Sequence, residues 1–276
     1  MTNEPAPIGL RYLGWSGFRV DWPDGTTVFV DPPEAAALPH DREAWIAITH
    51  GHPEHVAGAA AHLADPQRMA AARVLASSRV CAHLRHSSRH AGDRFRALDA
   101  GGSATLPGLR VQAFAWRHMP LLPPEPSLAV RHAAHLARHP GITLGIVKDG
   151  LVGSPPGAML GFGLIPYEGP RVLVYSEGLH RRTRISEVRA AREQIDADVL
   201  LFAVEPEDVE VLPDLVAAIG ARVVVPYEAH AEWRESLVMP RADLEQLSRD
   251  LASRGIHAHA AASNRPTQVP LSELAA

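Results

Sequence analysis

Apolar and polar residues alternate along the opening of the chain. Gly9-Leu10-Arg11-Tyr12-Leu13 and Gly17-Phe18-Arg19-Val20-Asp21 read as paired strands. The turn signal Pro23-Asp24-Gly25 leads into a third strand, Thr26-Thr27-Val28-Phe29-Val30, which stops at Asp31-Pro32-Pro33. The next apolar run, Trp45-Ile46-Ala47-Ile48, ends in Thr49-His50-Gly51-His52-Pro53-Glu54-His55. Small residues over 56–63 then predict a helix that starts near Pro53. Residues 66–100 alternate short strands with Arg/His-rich helical stretches, and residues 109–115 predict a strand that stops at Trp116-Arg117-His118. A hairpin follows over 159–166 and 171–175. Helices near 183–195, 209–219 and 241–254 then alternate with strands at 197–202 and 221–226, and a short strand closes the chain. Strands first, then alternating strand and helix, twice over, predict an α/β protein with two mixed sheets face to face and helices outside.

One stretch interrupts the pattern. Over 119–142, Pro120, Pro123, Pro124 and Pro126 make a stiff loop, followed by a short helix with His132, His135 and His139 on one stripe. This reads as a Pro/His-rich insertion in a single domain spanning 1–276. Its stripe is first a solvated or partner-facing surface, and second a lid or specificity element.

Composition narrows the function classes. A chain of 276 residues, 46% of them hydrophobic, can bury a full core. A net charge of −4 and a pI near 6.5 give no electrostatic footprint for nucleic acid. No apolar run reaches the length of a membrane span, and Met1-Thr2-Asn3-Glu4-Pro5 lacks the regions of a signal peptide. The expectation is a cytoplasmic protein with a small-molecule substrate and neither nucleic acid nor membrane as partner; assembly into a homo-oligomer stays open. The single cysteine, Cys81, excludes an internal disulfide and a thiolate zinc site, and reads as a small buried hydrophobe. Lys148 is the only lysine, so a Schiff-base enzyme would have to use it, and no P-loop occurs. His52-Pro53-Glu54 mimics the His-x-Glu of zinc deaminases without their Cys-x-x-Cys. Gly14-Trp15-Ser16-Gly17 is not a nucleophile elbow, because Phe18 stands where the last glycine belongs.

The chemistry concentrates at residues 50–55, which hold three imidazoles and a carboxylate, donors that bind zinc, manganese and iron. His50 and His52, two apart, converge from an extended strand end. His52 and His55, three apart, share a face of a first helical turn. The segment reads as half of a two-metal site.

These motifs resemble the metallo-β-lactamase superfamily, and within it the branch similar to ascorbate-6-phosphate lactonase, over roughly residues 9–230. The resemblance implies an αββα four-layer sandwich with the metals at one edge of the sheets. The opening strands fit Tyr12-Leu13-Gly14-Trp15-Ser16-Gly17-Phe18, although Trp15 stands where many members have histidine. Asp31 matches the first motif, and His50, His52, Glu54 and His55 match His-x-His-x-Asp-His. His118 matches the third motif and Ser176-Glu177 the fourth. The fifth falls on Val225-Pro226-Tyr227-Glu228-Ala229-His230: register favours Glu228 as ligand, and a two-residue slip gives His230. Glu54 and Glu177 stand where the family carries aspartate. The extra methylene adds about 1.5 Å of reach, and the richer oxygen donor set shifts preference from zinc, the family's usual metal, toward manganese or iron.

By this resemblance His50, His52 and His118 hold one divalent ion, Glu54, His55 and Glu228 or His230 hold a second, and Glu177 bridges. A hydroxide on the ions attacks a small ester, lactone or phosphodiester, with Glu54 orienting the nucleophile as the catalytic carboxylate. Asp31 and Thr49 orient imidazoles through hydrogen bonds. Alternatives are a di-iron or manganese oxidative enzyme, and a non-catalytic metal-binding relative. Elsewhere, His180, Arg181 and Arg182 read as a solvated helix start ahead of an anion contact. Tyr227 reads as a packed strand-end tyrosine ahead of an oxyanion donor. Glu205, Glu207 and Asp208 read as a helix entry.

Overall fold

The computed structural model describes residues 8–39, 43–65, 72–88, 93–118, 125–144, 147, 157–261 and 267–269. The first sheet is built from β1 (Gly9–Gly14), β2 (Gly17–Asp21), β3 (Thr27–Val30), β4 (Ala44–Ala47), β5 (Ala72–Ala76) and β6 (Phe95–Ala97), with β14 (Thr267–Val269) on the edge beside β1. The second runs β13-β12-β11-β10-β9-β8-β7, from β7 (Ser103–Leu106), β8 (Leu109–Ala115), β9 (Leu160–Pro166), β10 (Val172–Ser176), β11 (Val199–Val204), β12 (Val223–Glu228) and β13 (His257–Ala258). Each sheet is antiparallel at its hairpins and parallel where helices cross over, as in the β10–β11–β12 ladder.

The sheets face each other across one apolar layer. Leu10, Val20 and Val28 of the first meet Leu109, Val111, Val174 and Val223 of the second. Outside the first sheet lie α1 (Pro53–Ala64) and α2 (Ser78–Ser87), packed through Val56, Leu63, Val80 and Leu84. Outside the second lie α4 (Ile185–Gln194), α5 (Leu212–Ile219) and α7 (Leu244–Ala252). This is the expected αββα sandwich. β11 and β12, covered on both faces, are buried at every position, which is why they read as continuous apolar runs.

The segment after His118 contributes α3 (Pro126–Arg138), which has no buried residue; Pro120, Pro123 and Pro124 lie outside the described residues. His132 is not merely solvated: it faces Glu207 at 3.7 Å. Among the described residues no helix is long and apolar enough to cross a membrane.

Candidate metal centre

Every group of interest sits at one edge of the sandwich, just past the C-terminal end of a strand. The loop after β4 delivers Thr49, His50 and His52 into α1, which begins with Pro53 at its first turn, so Glu54 and His55 leave the helix start side by side. Gly58 lets that helix close on the preceding strand end, because a Cβ there would lie 2.0 Å from the Pro32 carbonyl oxygen. Asp31 ends β3, His118 follows β8, Glu177 follows β10, and His230 follows β12. Three of the strand-end residues that carry or flank these groups, Asp31, Ser176 and His230, have left-handed backbones with φ of 41°, 51° and 52°. Such non-glycine conformations cost of order 1–3 kcal/mol each and persist where surrounding contacts over-determine them.

Glu177 is the centre. Its carboxylate is 1% exposed, and its two oxygens face two different sets of imidazoles. Oε2 lies 2.9 Å from His118 Nε2 and 3.8 Å from His50 Nε2. Oε1 lies 3.4 Å from His55 Nε2 and 3.5 Å from His230 Nε2. His52 joins the first set, with Nδ1 3.0 Å from His50 Nε2. Glu54 reaches both sets, its Oε1 3.9 Å from His230 Nε2 and 3.9 Å from His52 Nδ1. Donors around a tetrahedral ion at about 2.05 Å are separated by about 3.4 Å, so these spacings match ligand spacings. The groups His50–His52–His118 and His50–His55–Glu177 each have donor atoms close enough to share an ion.

The far sides of the rings are braced by oxygen. His55 Nδ1 donates to Asp31 Oδ2 at 2.8 Å, and Asp31 also accepts from the Thr49 amide at 2.8 Å and its hydroxyl at 2.6 Å. Thr49 Oγ1 lies 3.1 Å from His50 Nδ1. His230 Nδ1 lies 2.9 Å from Glu205 Oε1. Bracing Nδ1 leaves Nε2 aimed inward, as in protein metal sites generally. On the inner side, both Glu177 oxygens, His55 Nε2 and Glu54 Oε2 are buried without an aligned hydrogen bond. An orphaned buried polar atom costs about 1–3 kcal/mol. Several such atoms gathered around one carboxylate fit divalent cations, and the donor set of imidazoles and carboxylates is chemically right for them.

Electrostatics divide the cluster. Burial, reinforced by neighbouring imidazoles, holds His50 well below the usual histidine pKa and lowers His52 to about 4. Burial also opposes charge on His55 and His230, but carboxylates outweigh it: Asp31 and Glu177 hold His55 well above its usual value, and Glu177 and Glu205 raise His230 to about 9. Burial disfavours charge on Glu177 too, yet His230 and His118 outweigh it and hold its carboxyl well below the usual range.

Glu228 is corrected by this geometry. The strand does not end at Pro226. The ladder with β11 continues through Tyr227 opposite Ala203 and Glu228 opposite Val204, so the residue two beyond the strand end is His230. The Glu228 carboxylate instead accepts from Arg241 Nε at 2.7 Å and from the Ala242 amide at 3.1 Å. The acidic loop is a helix entry as expected, with Glu205 at the N-cap of a short 3-10 turn over Pro206–Asp208, and its side chains are engaged as well. Glu205 and Glu207 both bind Arg234, and Asp208 accepts from the Arg181 amide and guanidinium at 3.1 and 3.0 Å. His180, expected in a solvated helix start, is 1% exposed and lies 2.9 Å from the Arg117 carbonyl. Tyr227 packs against Phe18 and Tyr12, and Cys81 is buried on α2. Sequence reasoning missed Glu205 as a histidine partner. Its position one residue past β11, at the same edge as the other strand-end groups, was the available signal.

No protein-family model matches the chain, and no curated protein matches it significantly. Solved structures do. CmlA, a diiron beta-hydroxylase from Streptomyces venezuelae, aligns with a TM-score of 0.59 at 14% identity, covering 96% of this chain and 55% of that one. A mutant of CmlA gives 0.60 at 16% identity with the same coverage. This chain therefore spans about half the length of those proteins. The metallo-beta-lactamase fold protein YhfI from Bacillus subtilis aligns with a TM-score of 0.58 at 11% identity, covering 95% of this chain and 99% of that one. At these identities the likeness establishes the fold, which is the metallo-β-lactamase fold.

Proposed function

We propose that this chain, a metallo-β-lactamase-fold protein, is a metal-dependent hydrolase of a small ester, lactone or phosphodiester, working through two divalent ions. The observation that carries the reading is the Glu177 carboxylate, whose two oxygens face His50 and His118 on one side and His55 and His230 on the other. When bound, a pair of divalent ions lowers the pKa of a shared water toward neutrality and polarises the oxygen under attack. The protein's own part is positional. His50, His52 and His118 would hold one ion, and His55, His230 and Glu54 the other, with Glu177 between them. His52, His118 and His230 are the partly exposed members, with side chains 31%, 22% and 18% accessible, so substrate approaches over them. Glu54, nearly buried and carrying a free oxygen, is suited to orient the attacking nucleophile and take its proton. The lactone class follows from the resemblance of the His-x-His-x-Glu-His segment to lactonase-like enzymes.

Oxidative chemistry on two irons is the second reading, favoured by the donor set. Glu54 and Glu177 add hard oxygen to a histidine cluster, which suits iron or manganese, and CmlA, of similar fold, is a diiron beta-hydroxylase. Metal analysis of protein purified without added metal, followed by assays with manganese, iron and zinc on an ester, lactone and phosphodiester panel, separates the two. Turnover of the panel by the zinc or manganese form supports hydrolysis. Iron with a visible absorption band and no panel turnover supports the oxidative reading. Absence of bound metal and no gain from any added ion overturns both.

A further inference from the structure

The metal reading identifies His230 as a ligand but does not explain what holds its ring. His230 occupies a left-handed backbone position at φ 52° and begins α6 (Ala231–Ser236), so nothing in regular secondary structure fixes its side chain. Two residues one turn further on do. Trp233 stacks on the imidazole at 5.1 Å with planes 3° apart. Arg234 folds back over the strand edge, where its guanidinium binds Glu205 and Glu207 and donates to the Pro240 carbonyl at 3.0 Å. Positions i+3 and i+4 share a helix face with the residue that opens it, so one short helix carries both the stacking ring and the clamp.

Glu205 completes the arrangement from the neighbouring strand. Its Oε1 lies 2.9 Å from His230 Nδ1 and its Oε2 is held by Arg234. At 8% exposure it has little freedom to move, and it meets the ring on the side away from Glu177. We infer that Glu205, fixed by Arg234, is the positioning residue that aims His230 Nε2 at the Oε1 side of Glu177. This rests on the two-ion reading. Asp31 does the same for His55 from the first sheet, so the two imidazoles facing Oε1 are braced by carboxylates from opposite sheets.

Losing a partner that orients a ligand typically lowers metal affinity 10–100-fold. The test is manganese titration of the full chain after chelation, comparing wild type, Glu205→Leu, Glu205→Gln, His230→Ala and the double variant Glu205→Leu/His230→Ala. Thermal unfolding of each metal-free protein is followed in parallel. The expected result is two ions for wild type, with one site weakened 10–100-fold in Glu205→Leu. Glu205→Gln retains one acceptor for Nδ1–H but turns an NH2 group toward Arg234, so its affinity should fall between those of wild type and Glu205→Leu. The double variant should bind no more weakly than His230→Ala, because both lesions remove one ligand. Wild-type affinity in Glu205→Leu, or losses that multiply in the double variant, overturns the inference.

A metal-free readout keeps the two ideas apart. In proton–nitrogen NMR spectra at neutral pH, wild type should show an exchange-protected Nδ1–H resonance for His230 that Glu205→Leu loses and Glu205→Gln keeps. If wild type binds no ion, the metal reading fails while this resonance still decides the role of Glu205. An unchanged resonance in Glu205→Leu overturns that role whatever the metal content.

Discussion

The two sides of Glu177 are built differently. The side facing Oε2 consists of His50, His52 and His118, rings that crowd one another, with His50 and His52 kept neutral by burial and neighbouring imidazoles. The side facing Oε1 consists of His55 and His230 and is rich in carboxylate: Asp31 and Glu177 hold His55 well above its usual pKa, and Glu177 and Glu205 raise His230 to about 9. One half therefore presents lone pairs ready for a cation. The other has to release protons first. The difference teaches that the two positions are unequal: the first ion is expected among His50, His52 and His118, and the second, more pH-dependent one, beside His55 and His230.

The sharpest way to break the comparison is to remove what the halves share. Glu177→Ala is expected to weaken both sites by more than about 100-fold, beyond the range of groups that only orient ligands. Calorimetric titration with manganese checks this, and loss of only one site would contradict a bridging role. Asp31→Ala should act on one half and on the fold together. It strips a fully buried acceptor from Thr49 and His55, so the metal-free protein should lose about 3–5 kcal/mol of stability in urea unfolding, as when one partner of a buried pair is removed.

A smaller effect follows from pH. The folded pKa of His230 is about 9, above the unfolded value near 6.5. Its charge therefore stabilises the metal-free fold fully below about pH 6.5 and progressively less as pH rises through about 9. The stability difference between wild type and His230→Ala should be greatest near pH 6, of order 1–3 kcal/mol, and shrink toward pH 10. His52, lowered to about 4, has the opposite sign: its neutral form is favoured, and its contribution is lost as pH falls from about 6.5 through 4. Denaturant unfolding of the metal-free proteins across that range distinguishes the two. The smallest effect on binding belongs to Glu228→Gln. It should cost about 1–3 kcal/mol of stability through its bond to Arg241 and leave the metal stoichiometry unchanged.

Much of this was legible in the chain because it is local. Alternation gave β1 and β2, continuous apolar runs gave β11 and β12, and the spacing of His50, His52 and His55 across a strand-to-helix loop is itself a geometric statement. What escaped depended on pairing between distant segments. Pro226 reads as the end of a strand, since it lacks the N–H a ladder needs. In the fold its carbonyl still accepts from Ala261, and the parallel ladder with β11 runs on to Glu228. That extension moves the strand end two residues and exchanges Glu228 for His230. Glu205 was hidden for the same reason: in sequence it sits in an acidic loop, and only the β11–β12 pairing sets it beside His230. His180 was misread because nothing local shows that the Arg117 carbonyl covers it.

The account stands or falls on whether Glu177 lies between two cations. Crystals grown with manganese and measured for anomalous scattering test this directly. The prediction is two peaks about 3.5–4 Å apart, one among His50, His52 and His118 and the other beside His55 and His230, with the Glu177 carboxylate between them. Peaks elsewhere, or none at the cluster in manganese-saturated crystals, would contradict it.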